Sequence, residues 1–317
     1  MIQERLSSFA GLPVHTFDGE PGGPLPAPED VAWGVYHHVH DNGVWGAEVP
    51  ENLDLLLKTV DTARVTHLVI GFWGFDTEDF SPVEWLVRNA GRFPRLRALF
   101  LGDILDWDLH ISWIQHGDIS PLFDAYPGLE HFEIRGASDL RFEPPRLARL
   151  KALRIESGGL PAEVVRAVAG GDLPALEHLD LWIGSEQHGG SSSAEDFAPL
   201  LTGERFPSVK HLGLENGPFQ DELAEALASA PVVARLESLS LAMGMLSDRG
   251  AEALLSGQPL THLRSLDLHH AFLSEPMAGR LRAALPGVEL DLEDALGEAS
   301  WVGQEWLFSD SYVAVSE

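Results

Sequence analysis

The chain has 317 residues, of which 44% are hydrophobic, so it is long enough for two average domains or one elongated one with a substantial core. It contains no cysteine, which excludes disulfides, thiolate catalysis and cysteine-bound metal centres. Its 49 acidic residues outnumber its 21 basic ones, and the resulting formal charge of −28 argues against a nucleic-acid partner and would steer a basic protein or peptide inward.

The first 64 residues are predicted to form an N-terminal cap. Leu12–Phe17 and Val31–His40 have the composition of strands, and the Pro/Gly-rich stretch Gly19–Pro28 between them indicates a loop. Glu51–Thr62 is predicted to be a helix. The opening residues do not begin an apolar run, and no stretch reaches the roughly 18–20 apolar residues that a membrane span needs. We therefore expect a cytoplasmic protein without a membrane partner.

From residue 65 to residue 292 the pattern L-x-x-L-x-L or a close variant recurs nine times. The middle apolar residues, here called anchors, are Leu68, Leu99, Phe132, Leu153, Leu179, Leu212, Leu239, Leu266 and Val288. Alternate residues of a strand point to opposite faces, so each anchor and the residue two positions later should point inward together. Helices are predicted between the later anchors at Gln220–Ser229, Asp248–Leu255 and Pro276–Leu285, with Ser247 and Ser274 as N-caps of the last two. Repeats of this kind stack into a solenoid, because one unit alone cannot bury its apolar face.

These repeats resemble the leucine-rich-repeat family, especially its ribonuclease-inhibitor-like branch, over about Val65 to Leu290. More loosely, the whole chain resembles an uncharacterised bacterial leucine-rich-repeat family, through Leu6–Val14 and Tyr312–Glu317. The resemblance implies an α/β solenoid with a curved parallel β-sheet on the concave face and helices on the convex face, and it carries no activity across. The family's consensus has Asn or Cys five residues after the anchor, whereas the residues at four such positions here are Gly158, Gly217, Gly244 and Ala271.

Three long repeats and the C-terminal residues depart from the regular pattern. Insertions lengthen the repeats at Gly71–Ser81, Gly102–Ser120 and Gly184–Glu195, and the first two are rich in aromatic residues. Those aromatics either pack the cap onto the first repeats or provide anchors for a partner, with Trp73 as a candidate. Residues 293–317 are predicted to be an acidic link followed by a C-terminal cap, in which Tyr312–Val315 resembles a strand.

The residues beside the anchors should line the concave face, and in the middle repeats they are dense in His, Asp, Glu and Arg. This pattern indicates a scaffold that binds a protein or peptide, possibly a basic one, without catalysis and without a cofactor. The candidate partner-binding residues are His131, Glu133, Arg135, Arg154, Glu156, His178, Asp180, Trp182, His211, Glu215, Asp267, His269 and Trp73. The four neighbours Glu133, Arg135, Arg154 and Glu156 are expected to form exposed cross-strand ion pairs, each worth about 0–1 kcal/mol.

Two other functions fit the same residues. His178 and His211 should lie about 5 Å apart on neighbouring strands, and with Asp180 they could hold a zinc-like ion. His38 and His40 form a second histidine-rich pair that could share one strand face. The chain could also be a non-catalytic subunit of an enzyme complex. Serines near His211 suggest a hydrolase triad, but no strained nucleophile turn such as G-x-S-x-G accompanies them.

Overall fold

A single open sheet, with its strands side by side in chain order, organises the computed structural model. The structure describes residues 4–19, 23–37, 48–75, 77, 80–143, 146–295 and 313–315. The strands among these residues are β1 (Ser8–Phe9), β2 (Leu12–Phe17), β3 (Ala32–Val35), β4 (His67–Ile70), β5 (Ala98–Leu101), β6 (His131–Arg135), β7 (Ala152–Glu156), β8 (His178–Trp182), β9 (His211–Glu215), β10 (Ser238–Ser240), β11 (Ser265–Asp267) and β12 (Glu289–Asp291). β1 and β2 are antiparallel, and all the later neighbours in the sheet are parallel.

Helices connect most of the parallel strands. They are α1 (Val49–Thr59), α2 (Pro82–Arg88), α3 (Ser120–Ala125), α4 (Ala162–Ala169), α5 (Ala198–Leu201), α6 (Gln220–Leu227), α7 (Asp248–Ser256) and α8 (Glu275–Ala284). The predicted N-caps of α7 and α8 are confirmed, because the Ser247 and Ser274 hydroxyls accept backbone N–H bonds from the first turns of these helices. Within the described residues, no helix has the length and apolar character needed to cross a membrane.

The predicted anchors share one register across the sheet. Leu68 lies opposite Leu99, and the alignment continues through the intervening anchors to Leu239 opposite Leu266. The last anchor was misplaced, because Leu290 and not Val288 lies opposite Leu266. Val288 still belongs to the turn after α8, where its N–H donates to the carbonyl of Leu285.

The core lies between the sheet and the helices. Anchors and the residues two positions later, such as Leu179 and Leu181, are fully buried against helix residues such as Leu223 and Leu254 in one continuous cluster. Side chains between them point to the other side of the sheet, which we call the concave face. Two small apolar clusters on that face are separate from the main core. The sequence therefore folds as an α/β leucine-rich-repeat solenoid.

The N-terminal region contains the two strands and the helix predicted for it, and it continues the sheet. β2 and β3 extend the sheet in parallel register, so Trp33 lies opposite the anchor Leu68. The short β1–β2 hairpin turns back over the concave face, where the ring of Phe9 lies 6.0 Å from that of Phe100. The proposed His38 and His40 pair lies outside the described residues.

A column of alternating charges crosses the sheet two residues before the anchors. Its members, in chain order, are Arg97, Glu130, Lys151, Glu177, Lys210, Glu237 and Arg264. Four of the neighbouring pairs are joined by ion pairs of 2.6–3.1 Å, including Glu130 with Lys151 and Glu177 with Lys210. Exposed pairs of this kind contribute little stability each, about 0–1 kcal/mol, but a shift in strand order would bring like charges together. This charge ladder therefore supports the strand order.

The turns that leave the strands use a left-handed residue four positions after the anchor. Gly136, Asn216, Met243 and His270 occupy this position with φ between 56° and 93°. The small residue that follows lets adjacent turns approach closely. A Cβ on Gly244 would lie 2.6 Å from the carbonyl oxygen of Gly217 and 2.5 Å from Cγ of Gln220. At Gly244 the stacked turns therefore leave no room for the asparagine side chain of the family's consensus, whereas the turn after β11 accommodates the methyl group of Ala271.

We expect Gly244→Ala to lower the free energy of unfolding by about 1–3 kcal/mol, because the added methyl group would force the two turns apart. Urea denaturation followed by circular dichroism would measure the change. Gly279→Ala is the matched control: a Cβ on Gly279 would meet nothing within 4 Å, and the residue lies inside α8. The free energy of unfolding of this control should rise by about 0.5–1 kcal/mol, because alanine favours a helix more than glycine does. Equal effects of the two substitutions would contradict the close packing of the turns.

Candidate functional site

A chain of buried ion pairs crosses the concave face between the turn after β5 and strand β7. The Nε of Arg135 donates to Glu156 at 2.6 Å, and its Nη1 lies 3.5 Å from Asp103. Arg154 approaches the other oxygen of Glu156 at 3.0 Å. Arg135 and Glu156 are only 5–6% exposed, so these are not the exposed pairs that the sequence predicted. Removing one partner of such a pair is costly, because it leaves a buried charge without compensation.

Asp103 fixes the N-terminal segment to this chain of charges. Its Oδ2 accepts a 2.6 Å hydrogen bond from the hydroxyl of Tyr36 and a 3.2 Å bond from the backbone N–H of Leu6. Burial, together with the negative charge of Asp103, raises the pKa of Tyr36 and keeps its hydroxyl protonated as the donor. The start of the chain is thereby held on the concave face.

Trp182 lies at the end of β8 in the same network. Its indole N–H donates to Glu215 at 2.7 Å, and the guanidinium of Arg154 lies 5.5 Å from its ring centre. Burial raises the pKa of Glu215, and the nearby charge of Asp180 adds to the increase. The indole is therefore fixed in orientation by an acidic side chain from the next strand.

His178 and His211 lie opposite each other on β8 and β9, as the spacing predicted, and their rings stack 4.0 Å apart. Each Nε2 bonds to one oxygen of Asp180, at 2.6 and 2.7 Å. Burial would raise the pKa of Asp180, but the two imidazole hydrogen bonds and charges outweigh it and lower the pKa below its usual range. Gly213 leaves the space for this carboxylate, because a Cβ there would lie 2.0 Å from Oδ1.

The other nitrogen of His211 bonds to the hydroxyl of Ser238 at 2.7 Å. The arrangement resembles a serine-hydrolase triad made of Asp180, His211 and Ser238. In the usual triad the carboxylate bonds to Nδ1 and the hydroxyl to Nε2, whereas here the two nitrogens are exchanged. Ser238 lies on a regular strand, and its backbone N–H is already bonded to the carbonyl of Lys210. The arrangement orients polar groups on a sheet surface without the strained turn that exposes a nucleophile.

Polar side chains continue on both sides of the histidine pair. On β6, His131 bonds to Glu133 at 2.5 Å, and the ring of Phe9 meets it edge-on at 5.1 Å. At the other end, Asp267 accepts a 2.8 Å hydrogen bond from Nδ1 of His269. Asp267, His269 and Asp291 form a second group with metal-ligand donor atoms within 4.8 Å of one another.

The two tryptophans proposed as partner anchors are both buried. Trp73 is 5% exposed and packs against His116, and Trp182 is 8% exposed beneath Val315 and Ile111. Neither indole can reach a partner without a rearrangement. The large aromatic side chains on the surface of the insertions are instead Phe75, Trp107 and Trp113, which are 63–68% exposed.

The structure also assigns a place to residues that the sequence analysis did not single out. Asn216 follows β9 and is fully buried, and its side-chain amide bonds to the backbone of Val315. The described part of the predicted C-terminal cap, residues 313–315, therefore lies beside the turns after β9 and β10. The sequence signal that could have drawn attention to Asn216 is an asparagine in the turn after a strand. Asn tolerates the left-handed backbone of such a turn better than most residues do.

His116 should make the stability of the fold depend on pH below neutrality. Burial lowers its pKa to about 4, although its hydrogen bond to the carbonyl of Arg135 acts in the opposite direction. Between its ordinary pKa of about 6.5 and this value, the unfolded chain binds a proton that the folded chain does not. The free energy of unfolding should therefore fall as the pH is lowered through this window, by up to about 3 kcal/mol from this group.

Urea denaturation at pH 7, 6, 5 and 4 would measure this loss in the native chain and in His116→Gln. Glutamine can donate the same hydrogen bond to Arg135 but does not titrate. The difference in stability between the two proteins should change by about 2–3 kcal/mol across the series. A constant difference would contradict the neutral, buried state of His116.

The chain is similar to several solved structures. A protein from Bacteroides fragilis, solved by a structural genomics consortium, is 32% identical, with a TM-score of 0.71 over 78% of this chain and 71% of its own. An internalin from Listeria monocytogenes matches at 13% identity and a TM-score of 0.36, over 74% of this chain and 67% of its own. The Drosophila Toll–Spätzle complex matches at 14% sequence identity and a TM-score of 0.35, over 78% of this chain and 38% of the matched chain.

No protein-family model and no curated protein matches the chain. The likeness to the Bacteroides fragilis protein extends over most of both chains and is close enough in sequence to indicate common descent. The in-register anchors and the stacked strand–turn–helix units identify the kind of fold that the two share. The chain belongs to the leucine-rich-repeat family.

Proposed function

We propose that this chain binds an extended segment of another protein along its concave face and that it prefers a basic segment. The observation that carries the proposal is a strip of partly exposed polar side chains on β6 to β9 and at the end of β11. Its members, which are 17–45% exposed at the side chain, are His131, Glu133, Arg154, His178, His211, Asp267 and His269. A rigid sheet presents them at fixed spacing, as a binding surface requires.

The charge of the strip and its surroundings favours a basic ligand. Among the candidate residues, the carboxylates Glu133, Glu156, Asp180, Glu215 and Asp267 outnumber the guanidiniums of Arg135 and Arg154. The two arginines already face Glu156, so they do not offset the other carboxylates fully. The overall charge of −28 adds long-range attraction for a cationic partner.

The exposed aromatic residues of the insertions would add apolar contacts at the edge of the same surface. The side chains of Trp107 and Trp113 are 67% and 63% exposed on the insertion after β5. Large exposed aromatic groups are common at the energetic centre of protein interfaces. We therefore assign the role of aromatic anchors for the partner to these residues instead of Trp73 and Trp182.

Selection from a random peptide library displayed on phage would test the preference for basic ligands. We expect the native chain to enrich Lys- and Arg-rich peptides. Glu133→Lys combined with Asp267→Lys should weaken the binding of a selected peptide at least tenfold, because two attractive charges become repulsive. Asp180 and Glu215 are unsuitable for this test, since both are buried in hydrogen-bonded networks.

The matched control is Glu163→Lys combined with Glu275→Lys, which changes the net charge equally on exposed helix residues. Their side chains are 77% and 88% exposed on α4 and α8. The control should keep most of the affinity, and its binding, like that of the native chain, should weaken at high salt, because salt screens the attraction. Enrichment of peptides without basic residues, or equal losses in the two variants, would contradict the proposal.

A second candidate function is metal binding by His178, Asp180 and His211. Each of these residues offers a donor atom, and the three atoms lie within 4.8 Å of one another. Two imidazoles and a carboxylate are a common ligand set for zinc and similar ions. A metal would replace the hydrogen bonds that the imidazoles now make to Asp180.

Elemental analysis by mass spectrometry, on protein purified without an affinity tag, would test this function. We expect one equivalent of a transition metal in the native chain and less than a tenth of that amount in His178→Ala. His262→Ala is the control, since His262 bonds to the carbonyl of Val233 and lies outside the group. Metal-free native protein after incubation with zinc, or full retention in His178→Ala, would exclude the site.

A further inference from the structure

The described C-terminal residues occupy a small site at the edge of the concave face. Val315 is buried in a cluster with Ile111 and Trp182, and Met243 packs against it from the turn after β10. Ile111 belongs to the insertion after β5, so the pocket combines one insertion with turns from later repeats. Trp182 is fixed within the pocket by its hydrogen bond to Glu215.

The hydrogen bonds at this site are made to the backbone of the tail. Oδ1 of Asn216 accepts from the N–H of Val315 at 3.0 Å, and Nδ2 donates to the carbonyl of the same residue at 2.5 Å. The carbonyl of Met243 accepts from the N–H of Ala314 at 2.8 Å. These three bonds hold the backbone of two neighbouring residues and do not depend on their side chains.

Side-chain specificity comes from Val315. Its side chain is buried against Ile111 and Trp182, whereas that of Ala314 is exposed. The backbone bends at Val313 and Ala314, so the tail enters the pocket without forming a strand. The site therefore fits a segment that buries one valine-sized side chain and leaves the preceding side chain exposed.

The side chain of Asn216 bonds mainly to the tail, with one longer bond of 3.4 Å from Nδ2 to the carbonyl of Ser157, and it is not needed to close its own turn. Its backbone N–H donates to Ala242 and its backbone carbonyl accepts from Gly184, so the neighbouring turns already satisfy the main chain. His270 holds the corresponding position two repeats later with the same φ of 56°. A left-handed turn at this position thus forms without an asparagine.

We propose that Asn216, Met243 and the Trp182 pocket form a binding site for a short segment that buries one valine-sized side chain, which the chain's own Ala314–Val315 fills until a partner segment displaces it. The assignment rests on the proposed function, because Trp182 and Glu215 border the polar strip. The assignment adds two points to the proposed function. One part of the ligand is aliphatic, and the chain's own C-terminal residues compete with the ligand for the site.

Fluorescence polarisation with a labelled peptide of residues 310–317, Asp-Ser-Tyr-Val-Ala-Val-Ser-Glu, tests the site on the full-length chain. Val315→Glu in the chain should eject the tail, so this variant should bind the added peptide at least tenfold more tightly than the native chain. A peptide with Glu at the Val315 position should lose binding at least tenfold. A peptide with Glu at the exposed Ala314 position should retain it.

Asn216→Gly and His270→Gly provide matched variants, each made in the Val315→Glu chain. Glycine accepts the left-handed backbone at both positions, and only the first substitution removes the amide that holds the peptide. Asn216→Gly should lose peptide binding at least tenfold, and His270→Gly should keep it. No binding to a folded Val315→Glu chain, or equal effects of the two glycine variants, would overturn the proposal.

Hydrogen exchange in the native chain is an independent measurement if Val315→Glu fails to fold. The amide of Val315 should exchange at least tenfold more slowly than in an unstructured peptide, and Asn216→Gly should abolish that protection. An unprotected Val315 amide would overturn the proposal. Failure of these tests while the native chain still enriches basic peptides would reject only the tail site and leave the proposed function standing.

Discussion

The distance between neighbouring strands, about 4.8 Å, is the constraint on which the concave face depends. At that spacing every side chain of a parallel sheet touches its equivalent on the next strand. Side chains at equivalent positions of neighbouring strands must therefore be compatible in size and charge. The first strands meet the requirement with apolar residues such as Val69 and Phe100, which Phe9 covers. The middle strands meet it with Arg135 against Glu156 and with the stacked pair of His178 and His211.

Both ends of the described chain return to the same surface. The N-terminal segment is held by the buried carboxylate of Asp103, and residues 313–315 are held by the side chain of Asn216. The members of the strip on β6 to β9 lie between these two attachments, whereas Asp267 and His269 lie beyond the second one. The terminal segments therefore border the β6 to β9 part of the candidate site, and the repeats supply its floor. This arrangement explains why Trp182, although it lies on the concave face, is covered.

The regular repeats could be predicted from the sequence because their apolar residues recur at positions that only one register satisfies. The pairing of His178 with His211 followed directly from that register. The burial of Trp73 agrees with one of the two alternatives that the sequence left open, the packing of the insertion aromatics. The burial of Arg135 with Glu156 could not be predicted, because it depends on insertions and terminal segments that lie outside the repeat. Val288 was mistaken for an anchor because the turn after α8 is apolar too. The contact between Asn216 and Val315 joins residues 99 positions apart, and no local pattern indicates it.

The charge ladder limits how such a protein can lengthen. A duplication of residues 210–236 alone would set a second Lys210 beside the first, with like charges at strand spacing. A duplication of residues 210–263 would add one lysine and one glutamate in turn and keep every neighbour opposite in sign. Lengthening by pairs of repeats therefore preserves the ladder, whereas lengthening by a single repeat breaks it.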